Sequence, residues 1–193
     1  MSEFVPSELA ADTPFGGGRF DSTTQDAYPY MYAAFSRGTA LAEVLLRDIP
    51  FNEQGVRILP RVRVCGRLLS SAELASDLTL VALTTSAELA AVSQDGWLVQ
   101  AEQDEYGKTR HWAHWLRQQA PWAQGFVWPS KRDVGEEAII LFGDRCRPGD
   151  LRPGLLPPVE LDSYEGGMWL NDVLAQYHAT VRLPAKKTAD HAG

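Results

Sequence analysis

The chain of 193 residues is 45% hydrophobic and 22% charged, which is the composition of a folded globular protein and not of a disordered chain. Its length is enough for one domain with a substantial core. The formal net charge of -7 gives an acidic surface that repels phosphate backbones, so we expect no nucleic-acid partner.

The sequence carries no segment that would direct it to a membrane or out of the cell. Its first residues lack the apolar core of a secretory signal, and nowhere is an apolar run long enough to span a bilayer. We therefore expect a cytoplasmic protein without membrane contact. Cys65 and Cys146 stand apart from each other and from any histidine cluster, so we expect neither a disulfide framework nor a metal site.

A glycine run opens the first segment of interest. We expect residues 1–14 to form a loosely ordered leader, followed by F-G-G-G-R-F from Phe15 to Phe20. Three glycines allow the backbone to pass close to a ligand just before Arg19. No Gly-Lys-Ser/Thr follows, which excludes a phosphate-binding P-loop. The alternative that stays open is a flexible turn with an exposed arginine.

A single acid lies inside an apolar helix further along the chain. The sequence predicts a helix from about Thr39 to Arg47, in which Glu43 is the one polar side chain between Ala40 and Leu46. A carboxylate in such surroundings is expected at the edge of the core or in a cleft. The alternative is an exposed residue that pairs with Arg47 four positions later, a weak interaction.

The middle of the chain mixes short strands and helices. Residues 55–68 alternate arginines with apolar residues and predict a strand whose outer face is a basic patch of Arg57, Arg61, Arg63 and Arg67. Residues 70–73 and 85–88 both have the pattern of a capping box, which predicts two short helices on either side of a buried strand at residues 78–83. A longer helix is predicted for residues 108–119, with Trp112 and Trp115 on its inner face.

Two apolar strands follow. The run G-F-V-W-P-S-K-R-D from Gly125 to Asp133 ends a strand at a proline and then presents Ser130 and charged residues, as happens where a rigid strand delivers polar groups to a cleft. Glu137 to Phe142 predicts a second buried strand. Beyond residue 147 a proline-rich connector leads to one amphipathic helix at residues 168–181. We expect residues 148–182 to pack on the same domain and residues 183–193 to fray.

These motifs, taken in order, resemble the RES-domain family. The resemblance runs from about Gly16 to Arg145, and includes the glycine-led arginine, A-L-A-E-V around Glu43, the W-P-S-K-R-D segment and the closing I-L-F-G-D-R. It implies an α+β fold whose split β-sheet core, with surrounding helices, is similar to that of the ADP-ribosyltransferase toxins. Residues 15–147 would be the catalytic domain.

The resemblance also implies which residues form the site. Arg19 matches the family arginine, Tyr32 the pocket tyrosine, Glu43 the glutamate and Ser130 the serine. The implied catalytic residues are Glu43, Arg19 and Ser130, and the implied substrate-binding residues are Arg19, Tyr32, Ser130, Tyr30 and Gly18.

The activity implied by the resemblance is the consumption of NAD as a substrate, by a glycohydrolase or a phosphorylase. Such a protein would be the toxin of a toxin–antitoxin pair, with a protein antitoxin as partner and a second copy of the chain as another possible one. Two alternatives stay open at this stage. One is a mono-ADP-ribosyltransferase that modifies a protein, and the other is a catalytically silent domain that only binds partners.

Overall fold

The structure is a computed structural model that describes residues 4–6 and 17–186. Its centre is a four-stranded sheet in which three neighbouring strands are antiparallel and the fourth pairs in parallel at one edge. The strands of this sheet, in spatial order, are β1 (Tyr30–Ala34), β7 (Glu137–Phe142), β6 (Gly125–Pro129) and β5 (Leu80–Ala82).

Three further pairs of short strands surround this sheet. They are β2 (Arg57–Leu59) with β10 (Ala179–Val181), β3 (Leu68–Leu69) with β9 (Val159–Glu160), and β4 (Ala72–Leu74) with β8 (Leu151–Pro153). The α-helices are α1 (Arg37–Leu45), α2 (Ser86–Ala91), α3 (Trp97–Gln100), α4 (Tyr106–Gln119) and α5 (Tyr164–Leu174).

The main core lies on the central sheet and is rich in aromatic rings. Strand β7 is buried from Ala138 to Phe142, which confirms the second buried strand that the sequence predicts. Phe20 meets Phe126 and Trp128 edge to face, with ring centroids 5.5 and 5.0 Å apart. Such pairs add to the stabilisation that comes from burying the rings. Because Phe20 follows Arg19 directly, this core fixes the end of the glycine–arginine segment.

Strands β6 and β7 approach so closely at one point that only glycine fits. A Cβ atom added to Gly125 would lie 2.1 Å from the carbonyl oxygen of Ile140. The glycine therefore allows the pairing register that carries the end of β6 to its place beside α1.

A second core lies between α1, α5 and the β2–β10 pair. Leu41 and Leu45 of α1 pack with Leu170 and Leu174 of α5 and with Val181 of β10, and all five are buried. The chain beyond residue 148 thus packs on the helix that carries Glu43. Strand β10 runs parallel to β2, so the C-terminal segment also closes that edge of the fold.

Three secondary-structure predictions are wrong. Residues 70–73 do not begin a helix, because residues 72–74 pair as β4 with the connector strand β8. The strand expected at residues 55–68 is interrupted by a 3₁₀ turn at Arg61–Arg63, which follows Pro60. The helix expected at residues 168–181 ends as α5 at Leu174, since His178 adopts a left-handed conformation with φ 49° and residues 179–181 then pair with β2.

The inner face of α4 also differs from the prediction. Its buried residues include Arg110, Ala113, Leu116 and Arg117, whereas Trp115 is 39% exposed. Arg117 can be buried because it is paired: it donates to Asp26 and Asp144, each at 2.8 Å, and lies over the rings of Tyr28 and Phe142. Trp112 packs against the main core as predicted, whereas Trp115 does not, and Arg110 and Arg117 share the inner face with Trp112.

The predicted capping box at residues 85–88 is confirmed at the start of α2. The Thr85 hydroxyl accepts from the Glu88 amide at 3.3 Å, and the Glu88 carboxylate accepts from the Thr85 amide at 2.9 Å. We expect Thr85→Ala to lower the free energy of unfolding by about 1 kcal/mol, because the cap satisfies an amide that the helix leaves free. Chemical denaturation measures this loss. Ser86→Ala, one residue inside the helix, is the control, and equal stability of the two variants would contradict the prediction.

Parts of two expectations fall outside the described residues. Of the leader at residues 1–14, only residues 4–6 are described, and there Val5 pairs with Tyr30. Most of the tail expected to fray, residues 187–193, lies outside the described part. In residues 4–6 and 17–186, no helix has both the length and the apolar character needed to cross a membrane.

Candidate active site

A cleft of about 630 Å³ opens between α1, the edge of the central sheet and the segment that follows the glycine run. It brings together five of the six residues implied by the sequence, namely Gly18, Arg19, Tyr30, Tyr32 and Glu43. Ser130 does not line it but contacts Glu43 from behind. Further polar or aromatic residues lining the cleft are Asp21, Arg47, Asp48, Arg63, Arg67, Gln103, Tyr106 and Trp128.

Only one of the two carboxylate oxygens of Glu43 is hydrogen-bonded to the described part of the protein. Ser36 caps α1 by accepting from the Thr39 amide at 3.0 Å, and Glu43 follows about two turns after the cap. Its Oε1 accepts from the Ser130 hydroxyl at 2.6 Å and from the Arg132 amide at 3.2 Å. Within the part of the chain that the structure describes, Oε2 makes no hydrogen bond, so this oxygen is available to a ligand.

The Ser130 hydroxyl is fully hydrogen-bonded within the protein, and one of its bonds goes to Glu43. The residue is buried, and its hydroxyl donates to Glu43 while it accepts from the amides of Arg132 at 3.2 Å and Asp133 at 2.9 Å. A hydroxyl has one proton to donate and two lone pairs to accept with, so all its hydrogen-bonding capacity is used. The structure thus gives Ser130 a positioning geometry rather than one in which it contacts a ligand.

Arg19 lies at the bottom of the cleft and is 5% exposed. Its Nη2 donates to the Ala101 carbonyl at 3.2 Å, and its guanidinium lies 5.5 Å from the centre of the Tyr106 ring. Burial lowers the pKa of Arg19, while the Tyr106 hydroxyl and the Glu43 carboxylate act in the opposite direction. Its Nε is buried and finds no hydrogen-bond partner among the described residues.

Tyr32 presents its ring to the cleft and its hydroxyl to the protein. The hydroxyl oxygen accepts from the Phe20 amide at 2.9 Å, while 38% of the residue remains exposed. Burial of the hydroxyl and the nearby Asp21 carboxylate raise the pKa of Tyr32 well above its ordinary value, so the phenol stays protonated. Tyr30 packs edge to face on Tyr32, with centroids 5.8 Å apart.

Gly18 is needed for this arrangement because there is no room for a side chain. Its amide donates to Asp21 Oδ2 at 2.6 Å, and an added Cβ would lie 2.5 Å from both Asp21 Oδ1 and the Tyr32 hydroxyl. Helix α4 holds the same turn from behind: Arg110 donates to the Gly18 carbonyl at 3.1 Å and Thr109 to the Arg19 carbonyl at 2.7 Å. The turn is therefore ordered, in contrast to the flexible turn considered from sequence.

Sequence reasoning missed several cleft residues. Tyr106 carried no signal, because its contacts with Arg19 and Arg47 are made over long separations along the chain. Asp21 lies only three residues after Gly18, whose amide it accepts from, but a single acid after the glycine run is no recognisable motif. Arg63 and Arg67 were noted as part of a basic patch, and the structure brings these two to the cleft. Arg47 forms no ion pair with Glu43 among the described residues. Its guanidinium instead lies 5.7 Å from the Tyr106 ring centre. The exposed ion pair considered for Glu43 is thus not formed.

The arrangement suits a ligand that is anionic and also carries hydroxyl groups. Four arginines and three carboxylates line the cleft, so it is locally cationic in a chain of net charge -7. A free carboxylate oxygen beside them can accept from a hydroxyl or stabilise a developing positive charge. Within residues 4–6 and 17–186, no group of three or more His, Cys, Asp or Glu side chains is placed to hold a metal ion.

The sequence matches the RES domain over residues 5–161, which is most of the chain. The chain belongs to the RES-domain family. No protein with a curated description matches it. The fold of this RES-domain protein is similar to a chain in the crystal structure of the M. tuberculosis MbcT–MbcA toxin–antitoxin complex, with a TM-score of 0.51 and 21% identity over 75% of this chain and 72% of that one. The resemblance and the α+β fold expected from sequence are both confirmed.

Proposed function

We propose that this RES-domain protein consumes NAD by cleaving the bond between nicotinamide and ribose, and that it is the toxin of a toxin–antitoxin pair. The observation that carries the proposal is the Glu43 carboxylate. One oxygen is fixed by Ser130 and Arg132, the other makes no hydrogen bond among the described residues, and the residue lines a cleft together with Arg19 and Tyr32. Family membership and the fold support the same proposal.

The chemistry needs an anion near the ribose. When the nicotinamide–ribose bond breaks, its electron pair goes to the ring nitrogen, so the pyridinium leaves as a neutral molecule and the ribose gains oxocarbenium character. Glu43 Oε2 would accept from the ribose 2′-hydroxyl and stabilise that positive charge. Because the other oxygen is already hydrogen-bonded in place, little reorganisation is needed as the charge develops. An acceptor oxygen, from water or phosphate, then bonds to the same carbon, and when the acceptor is water its proton passes to the solvent.

The arginines supply the binding energy for the other half of the dinucleotide. Arg19, which lines the cleft, would bind the pyrophosphate through its guanidinium, because a guanidinium matches phosphate oxygens geometrically. Arg63 and Arg67 line the same cleft and extend the positive potential toward its mouth. The exposed ring face of Tyr32 would stack on nicotinamide or ribose.

The rival functions use the same cleft. A mono-ADP-ribosyltransferase would differ only in the acceptor, which would be a side chain of another protein. A silent partner-binding domain would have no reason to keep a fixed carboxylate with a free oxygen beside Arg19. We therefore place NAD cleavage first and transfer second.

The toxin role implies a protein that blocks the cleft. The related structure contains a toxin and an antitoxin, and the acidic net charge of this chain disfavours a nucleic acid as inhibitor. A protein antitoxin is the partner that this proposal requires. Its binding would be seen as protection of the cleft residues.

The direct test is incubation of the purified chain with NAD, with and without inorganic phosphate, followed by product analysis. We expect release of nicotinamide in either case. ADP-ribose as the second product indicates hydrolysis, and its 1″-phosphate, formed only with phosphate present, indicates phosphorolysis. If no nicotinamide is released under either condition, NAD cleavage by the isolated chain is contradicted, and labelled NAD with cell lysate then tests transfer to a protein.

A further inference from the structure

The part of the chain beyond the family match contacts the loop that holds Glu43. The RES-domain match ends at residue 161, and α5 and β10 follow it. Between these two elements, the hydroxyl of Tyr177 donates to Asp133 Oδ2 at 2.8 Å. Asp133 lies in the loop between β6 and β7, 44 residues away along the chain.

Asp133 receives a second hydrogen bond from the other side. The hydroxyl of Thr39, in the first turn of α1, donates to the same Oδ2 at 2.7 Å. The carboxylate of Asp133 therefore joins the C-terminal segment to the start of the helix that carries Glu43. Each bond to a carboxylate is charge-assisted and is stronger than a bond between neutral groups.

Two hydrogen bonds connect the loop residue Asp133 to Glu43. The Asp133 amide donates to the Ser130 hydroxyl at 2.9 Å, and that hydroxyl donates to Glu43 Oε1 at 2.6 Å. The Ser130 amide is itself bonded to the Glu136 carbonyl at 2.7 Å, which closes the loop. A shift of Asp133 would move the two groups that hold the catalytic carboxylate.

The Tyr177 side chain packs closely against the start of α1. A Cβ atom added to Gly38 would lie 2.8 Å from the Tyr177 hydroxyl, so the helix start leaves just enough space for the phenol. Burial, followed by the hydrogen bond to Asp133, raises the pKa of Tyr177, and the hydroxyl therefore stays a donor. Tyr177 does not line the cleft, so it does not contact a ligand there.

We propose that Tyr177 and Asp133 are positioning residues that fix the orientation of Glu43 through the loop that carries Ser130, so that the chain beyond the family match completes the active site. The kinetic part of this inference rests on the proposed NAD cleavage. The structural part does not, because it concerns the order of a loop in the free protein.

Tyr177→Phe tests the inference by removing one hydroxyl and no ring. Tyr164→Phe is the matched control, because Tyr164 also lies in the C-terminal segment and its hydroxyl has no hydrogen bond among the described residues. We expect amide hydrogen exchange of Arg132 and Asp133, measured by NMR, to be faster in Tyr177→Phe and unchanged in Tyr164→Phe. Equal exchange in both variants and the wild type would overturn the inference.

Steady-state kinetics distinguish a role of Tyr177 in positioning Glu43 from a role in stability alone. We expect kcat for NAD cleavage to fall about tenfold in Tyr177→Phe with KM within a factor of two of the wild type, because a small misplacement of a catalytic group slows the chemical step. In an Asp133→Asn background the same substitution should have much less effect, since the two residues act as one unit. A lower melting temperature with unchanged kcat would overturn the inference.

A failure of the proposed function is distinguishable from a failure of this inference. If the wild type releases no nicotinamide, NAD cleavage is contradicted, while the exchange of the Arg132 and Asp133 amides still decides whether Tyr177 orders the loop. If the wild type is active and exchange does not respond to Tyr177→Phe, the cleavage stands and the positioning role is wrong.

Discussion

Replacing Glu43 with glutamine is expected to reduce NAD cleavage by about 10²–10³-fold or more, the range seen when one preorganised group that stabilises developing charge is removed. The amide oxygen can still accept from Ser130 and Arg132, which would place the NH₂ group at the position of Oε2. The substitution thus keeps the volume and exchanges an anion for a donor. Release of nicotinamide, followed over time, measures the effect.

A control shows whether the loss is local. Glu73→Gln makes the same chemical change on the exposed strand β4, outside the cleft lining. It should leave turnover unchanged, and both variants should unfold close to the wild-type temperature. Turnover by Glu43→Gln at the wild-type rate would remove Glu43 from the mechanism.

The wild type and the Glu43→Gln variant also test the toxin role in cells. A protein that destroys a central cofactor harms the cell that makes it, so the wild type should arrest growth and lower cellular NAD when expressed alone. Cells that express Glu43→Gln should grow normally. Normal growth and normal NAD with abundant soluble wild-type protein would count decisively against the toxin proposal.

Arg19→Ala is expected to weaken the binding of NAD by about 1.5–3 kcal/mol, the range for hydrogen bonds to charged groups. This corresponds to about a 10- to 150-fold rise in Kd. ADP-ribose should lose affinity by a similar factor, because it also carries the pyrophosphate, whereas nicotinamide alone should not respond. Isothermal titration calorimetry measures all three ligands, with Arg19 and Arg19→Ala compared in the Glu43→Gln background so that NAD is not consumed during the titration.

Two variants control for the structural contacts of Arg19. Arg19→Lys keeps a positive charge but loses the planar fork, so its affinity should lie between those of the wild type and Arg19→Ala. Arg152→Ala removes an exposed arginine of β8, outside the cleft lining, and should change nothing. Equal Kd values for the wild type and a folded Arg19→Ala protein would assign Arg19 to holding the turn alone.

Sequence reasoning was most successful where a local pattern and a family motif agreed. The apolar runs at β6 and β7 predicted buried strands, and the order of the motifs predicted that Arg19, Tyr32 and Glu43 would meet. The capping box of α2 was also recognised, because all the groups that form it lie within four residues. For these elements local chemistry and tertiary packing favour the same structure.

The predictions failed where distant partners decide the conformation. Residues 70–73 have a helix-start pattern, but pairing with β8, about 80 residues away, makes them extended. Arg117 would be expected on the surface of α4, yet two carboxylates and two rings compensate its burial. The link from Tyr177 through Asp133 to Glu43 joins three separate segments, and no local pattern indicates it.

The packing of α5 and β10 against α1 has a genetic consequence. A stop codon placed just after residue 161 would leave every residue of the family motif in the gene. The product would nevertheless lack Leu170, Leu174 and Val181, and the helix that bears Glu43 would lose its apolar support. On the proposed toxin function, selection for cells that survive expression of this chain should therefore recover truncations in the last part of the gene as readily as changes in the cleft. Such alleles would look intact by motif and yet encode an inactive protein.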